Sequence, residues 1–165
     1  MGCLGVHFAL DPADQEKVLA ADGDEALLDV IQDDIEERLD DDGFSFQTDK
    51  AWDAIHRCLT DGTLTFGPGG SALSYCILGG RPLYSGDDYI VSYVEPEQVA
   101  ACAQALRAIS REELRSRYFA LDPEEYGYPL SDEDFEYTWS NFEGLPEFFE
   151  KAAKAKRPVI FTADQ

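Results

Sequence analysis

Stretch after stretch of this chain spaces its apolar residues three and four apart, and only a few short apolar runs break that rhythm. Such spacing paints one apolar stripe along a helix, and a stripe must be buried against something. Leu27, Leu28, Ile31, Ile35 and Leu39 form the clearest stripe and predict a helix over 25–39. Trp52, Ile55, His56 and Leu59 predict another over about 50–60, with Asp49 or Thr48 as its N-cap and Gly62 just past its end. Val99, Cys102, Ala103, Leu106 and Ile109 predict a third, opened by Glu95-Pro96. Ser110 with Glu113, and Ser131 with Asp134, have the spacing of helix starts. Phe135, Trp139 and Phe142 extend the second of these, and Pro146 should kink or restart it.

The short runs read as strands. CLGVHFAL at 3–10 ends at Asp11-Pro12, an N-cap and first helical position for a short helix that buries Val18 and Leu19. Tyr89 to Tyr93 and Val159 to Phe161 are further strand candidates, and Leu64 with Phe66 a weaker one. The run Leu73 to Leu78 is too short for periodicity to decide between strand and helix. Residues 122–134, acidic and broken by Pro123 and Pro129, read as a surface loop. No repeat or linker divides the chain, so residues 1–165 are expected to form one domain of α/β or α+β class. Strands from both ends should join a central mixed sheet flanked by five or more helices.

Charge then limits the partners. Thirteen Lys and Arg stand against 34 Asp and Glu, a net charge of −21. Such a field repels nucleic acid and anionic membrane and favours a basic partner, solubility, or life in concentrated salt. No apolar run approaches the roughly 18 residues of a membrane span, and Met1 to Val6 lacks the pattern of a signal peptide. A cytoplasmic setting is the expectation. Cys3, Cys58, Cys76 and Cys102 are widely and irregularly spaced, which predicts reduced thiols and gives no support to a metal or redox motif. No metal and no cofactor is expected.

DKAWDAIHRCL, residues 49–59, is the most distinctive stretch. Trp52 and His56 share a helix face, and an imidazole there could move protons near neutral pH. A core histidine held by one hydrogen bond, with Trp52 as filler, is the favoured reading. Gly79-Gly80-Arg81-Pro82 could bend around a ligand with Arg81 binding an anion, although such a stretch is more often only a tight turn. The acidic turn at Asp40 to Asp42 fails the calcium-loop pattern, which would place Arg38 first and Asp49 last. The glycines at 67, 69 and 70 match no phosphate-binding motif. Tyr126, Tyr128 and Trp139 flank Asp132 and Asp134, so rings mixed with acids there could dock a basic protein.

Several stretches together resemble the YfbM-like family of small bacterial proteins, known only as a domain of unknown function. They are Asp49-Lys50-Ala51-Trp52 with Ile55-His56, Leu59-Thr60 and Gly62, then Ile77-Leu78-Gly79-Gly80, the Tyr93 to Pro96 junction, Ile109 to Arg115, and Phe148-Phe149 before the closing strand. The resemblance implies a compact domain with a sheet flanked by helices, and it implies no reaction, cofactor or catalytic residue. Gly144-Leu145-Pro146 departs from it and should break the long C-terminal helix. The leading functional expectation is a non-enzymatic binding or accessory protein acting through an acidic surface, with neutralisation of a basic partner as one version. One alternative is a small hydrolase-like enzyme with Trp52, His56, Gly79, Gly80 and Arg81 around one pocket, His56 as acid/base and Arg81 as anion clamp. The other is an acidic structural protein without a dedicated site.

Overall fold

A computed structural model describes residues 4–38, 43–67 and 71–164. The five strands are β1 (Gly5–Ala9), β2 (Ser45–Asp49), β3 (Arg81–Pro82), β4 (Tyr89–Val94) and β5 (Val159–Asp164). They form one sheet in the order β2-β1-β5-β4-β3. Every pairing in it is antiparallel, so of the two expected classes the fold is α+β. β1 and β5, from opposite ends of the chain, lie side by side in the middle of the sheet, as the terminal apolar runs suggested.

Alternation along the strands feeds two cores. Phe8, Val91, Tyr93 and Ile160 point to one face, where α1 (Pro12–Ala20) and α2 (Asp24–Asp29) bury Val18 and Leu27. Ala9, Val94, Val159, Phe161 and Ala163 point to the other face. That face is covered by α3 (Trp52–Leu59), α4 (Pro96–Leu106), α5 (Arg111–Phe119), α7 (Asp132–Phe142) and α8 (Leu145–Lys154), with the short α6 (Pro123–Tyr126) alongside.

The helix starts read from sequence are built by the expected side chains. Asp11, Ser110 and Ser131 each accept a hydrogen bond from the backbone N–H three residues on. Pro146 lies in the first turn of a new helix, and α7 and α8 are separate. Elsewhere the structure corrects the reading. Leu19 is exposed, because only Val18 and Asp14 of α1 turn inward. The helix expected over 25–39 runs as α2, then widens to π-helical turns over Val30–Ile35 and tightens to a 3₁₀ turn at Glu36–Arg38; Leu39 lies outside the described residues. Neither Thr48 nor Asp49 caps α3. Its N-cap is Ala51, while the Thr48 hydroxyl donates to the Gly5 carbonyl and Asp49 takes a left-handed φ of 49° to turn the strand into the helix. Leu64 and Phe66 form no strand, Ala72–Cys76 is a 3₁₀ helix, and the segment read as a surface loop contains α6 with Tyr126 buried. The Asp40 to Asp42 turn and the glycines at 69 and 70 lie outside the described residues.

Candidate ligand-binding site

α3 is the most enclosed helix next to the sheet: seven of its eight residues are buried. Its register is set at the N-terminal end by Trp52. That indole packs on the Phe161 ring at 5.7 Å and fills the space where a side chain on Gly5 would sit. One helical turn on, His56 is 1% exposed, and among the described residues neither of its ring nitrogens completes a hydrogen bond. Its carbonyl accepts from the Thr60 hydroxyl at 2.8 Å.

His56 forms part of the wall of a cavity of about 380 Å³. The rest of the wall mixes polar side chains, Thr60, Asp61, Thr65, Ser71, Ser74 and Arg117, with a comparable share of apolar surface that includes Leu59 and Leu73. Asp61 is exposed, and its carboxylate accepts from the Thr63 hydroxyl at 2.7 Å and the Thr63 N–H at 3.1 Å, which holds it below the usual carboxylate range. Arg117 reaches in from α5, donating from Nε to Glu113 at 2.9 Å and from a terminal nitrogen to the Cys58 carbonyl at 3.2 Å. The Ser74 hydroxyl donates to the Ser71 carbonyl at 2.6 Å.

Burial pushes the His56 imidazole down to about 4, against smaller opposing effects of the Thr65 backbone and Asp61. The ring is therefore neutral near pH 7, with one N–H to donate and one lone pair to accept. Burial also pushes the Cys58 thiol up to about 12, so no thiolate stands beside it.

The other residues read as one pocket do not gather here. Trp52 faces the sheet. Gly79 and Gly80 are glycines because the backbone passes too close for anything larger. A Cβ on Gly79 would lie 2.3 Å from the Ser74 carbonyl oxygen, and one on Gly80 2.5 Å from that of Tyr93. Their amides donate to the Ser74 carbonyl and the Ser92 hydroxyl. Arg81 stacks over the Tyr93 ring at 5.5 Å and borders a different cavity, of about 180 Å³, with Asp24 and Leu83. Arg117, not Arg81, is the guanidinium at the His56 cavity, and nothing in its sequence surroundings marks it.

The acidic, ring-rich segment folds largely onto α5. The hydroxyls of Tyr118 and Tyr126 both donate to Asp134, at 2.6 and 2.8 Å, and burial followed by that carboxylate pushes both phenols up. Asp132 pairs with Arg115 and Glu136 with Arg111. Arg111 stacks over the rings of Phe135 and half-buried Trp139, whereas Tyr128 is 64% exposed. Among the described residues, no group of three or more His, Cys, Asp or Glu is placed to hold a metal, and no helix is long and apolar enough to cross a membrane.

Comparison with known proteins places this arrangement in context. The family described as Domain of unknown function (DUF1877) matches residues 1–162. Protein YfbM of Escherichia coli (strain K12) is 31% identical over 121 residues, which is 72% of this chain and 67% of that protein. The crystal structure of YfbM from Escherichia coli, a protein of unknown function, superposes with a TM-score of 0.67 at 21% identity, over 97% of this chain and 99% of that one.

Proposed function

The chain belongs to the DUF1877 family, and from that premise we propose that it is a binding protein for a small polar molecule held in the cavity beside His56. The observation that carries this reading is a buried, neutral imidazole at the wall of this cavity which, among the described residues, completes no hydrogen bond and has the Thr65 backbone as its nearest polar neighbour. A buried polar group without a partner costs about 1–3 kcal/mol. A guest that draws the ring towards the cavity and hydrogen-bonds to one of its nitrogens relieves that penalty. Arg117 and Asp61 add one charge of each sign, and the hydroxyls of Thr60, Thr65, Ser71 and Ser74 add adaptable donors. The volume falls in the range of small-molecule sites, which supports a dedicated site over a purely structural acidic protein.

Binding is favoured over catalysis. A general base at neutral pH works best with a pKa near 7, and His56 lies far below it. The serine hydroxyl that could act as nucleophile, Ser74, donates to a carbonyl and not to His56. Docking of a basic protein on segment 122–139 has less support, because Arg111 and Arg115 occupy its rings and acids. Three unbridged cysteines among the described residues support a cytoplasmic setting.

The test is a thermal-shift screen of small polar metabolites against the wild type, His56→Leu and Arg117→Ala. Wild type should gain melting temperature with a few related compounds, and both variants should lose that gain. Leucine has nearly the volume of histidine and no polar atom, so His56→Leu should itself stabilise the fold by about 1 kcal/mol. A variant that is destabilised yet keeps the ligand-induced shift would make His56 a core residue and end this reading.

A further inference from the structure

A second cavity, of about 320 Å³, lies along β4 near the end of the short edge strand β3. Phe66, Pro82, Tyr84, Tyr89 and Ile90 form about half of its lining, and Asp87 and Ser92 add polar side chains. The rings of Tyr84 and Tyr89 stand at 65° with centroids 5.9 Å apart, so they make two walls of a corner. Phe66 is 59% exposed at the lining.

Carboxylates surround this corner. The Tyr84 hydroxyl donates to Asp88 at 2.8 Å, and Asp24 and Asp87 act on the same phenol. Asp24 is fixed by the Ser85 N–H and hydroxyl at 3.0 and 2.6 Å. The Tyr89 hydroxyl donates to Glu36 at 3.3 Å, with Asp164 also close enough to act on it. No lysine or arginine is among the described lining residues, and Arg81, next to Pro82, is engaged on the Tyr93 ring.

Aromatic faces attract cations through their negative quadrupoles, and best when the cation has an apolar body. Acidic groups around the same rings add long-range attraction. We propose that this cavity binds an alkylammonium group against Tyr84, Tyr89 and Phe66, with Asp87 and its neighbouring carboxylates supplying the counter-charge. The site is separate from the His56 cavity, and neither reading depends on the other.

Calorimetric titration tests it with three probes: choline, the uncharged isostere of choline in which carbon replaces nitrogen, and Nα-acetyl-lysine methylamide. At least one of the two cations should bind at least about tenfold more tightly than the neutral isostere. Tyr84→Leu, which keeps an apolar wall without a π face, should weaken that binding at least about fivefold. Asp87→Asn, at an exposed position, should weaken it too and flatten its dependence on salt. Tighter binding of choline would identify a free organic cation as the source, and tighter binding of the lysine derivative a basic protein segment. The proposal is overturned if neither cation binds saturably, if the neutral isostere binds as well, or if a folded Tyr84→Leu protein binds unchanged.

Discussion

His7 and His56 are both fully enclosed, yet they are kept in different ways. The His7 Nε2–H donates to the Cys76 carbonyl at 2.7 Å, and the ring is walled by Phe148, Phe149 and Phe161. It ties β1 to the end of the 3₁₀ helix and leaves only Nδ1 without a partner. Burial lowers each imidazole from 6.5 to about 4. Between those values the unfolded chain binds more protons than the folded one, so stability rises with pH there. It should be complete above about pH 6.5 and fall by up to about 3 kcal/mol per histidine as pH drops towards 4. Glu36, raised mainly by burial, works in the opposite sense, so the wild-type curve alone is a mixture. Denaturant titrations of wild type and His56→Leu across this window separate the two. The variant should lose about half of the histidine-driven slope. Identical slopes would mean that His56 is not held neutral by the fold.

Elements differed in how much of them could be read in advance, and the reason is physical. Asp11, Ser110 and Ser131 announce helices because a short oxygen-bearing side chain at an N-cap satisfies a local N–H, whatever the tertiary setting. The stripe of Ile31 and Ile35 announces burial, but the same stripe suits a π-helical turn, so the widening at Val30–Ile35 left no mark. β2 escaped because its sequence, SFQTD, lacks an apolar run; alternation of Phe44, Phe46 and Thr48 was its only signal, and Thr48 alone is fully buried. His56 and Trp52 were legible as a distinctive pair, but the cavity was not. Beyond Leu59 of α3, its other described walls come from Thr60, Asp61, Thr65 and Gly67, from Ser71 and the start of the 3₁₀ helix, and from one arginine of α5, which no periodicity connects. The local caps carry a local prediction. Ser131→Ala should cost about 1 kcal/mol in denaturant unfolding, because it frees the Asp134 N–H at the start of α7. A loss much beyond about 2 kcal/mol would show that the cap also holds Asp134 in place for Tyr118 and Tyr126.

At the scale of the whole molecule, a net charge of −21 must repel itself more in the compact state than in the expanded one. Most of the ion pairs among the described residues do little to offset this: Lys17–Asp34, Arg107–Glu150, Arg111–Glu136, Arg115–Asp132 and Arg117–Glu113 are partly or largely solvent-facing, and such pairs contribute at most about 1 kcal/mol each, whereas Arg57–Asp53 is more buried. Sodium chloride shortens the screening length from about 10 Å near 0.1 M to about 3 Å near 1 M, so it should remove repulsion faster than it weakens those few pairs. The melting temperature should therefore climb by several degrees over that range at neutral pH. The climb should be smaller near pH 4.5, where part of the carboxylate charge is already titrated. Cation binding at the Tyr84–Tyr89 corner would respond to the same salt in the opposite direction, because screening weakens attraction as well as repulsion. A protein whose melting temperature ignored salt would have its negative charge spread too widely to strain the fold. In that case the carboxylates around Tyr84, which need only act locally, would be the part of the charge that still demanded an explanation.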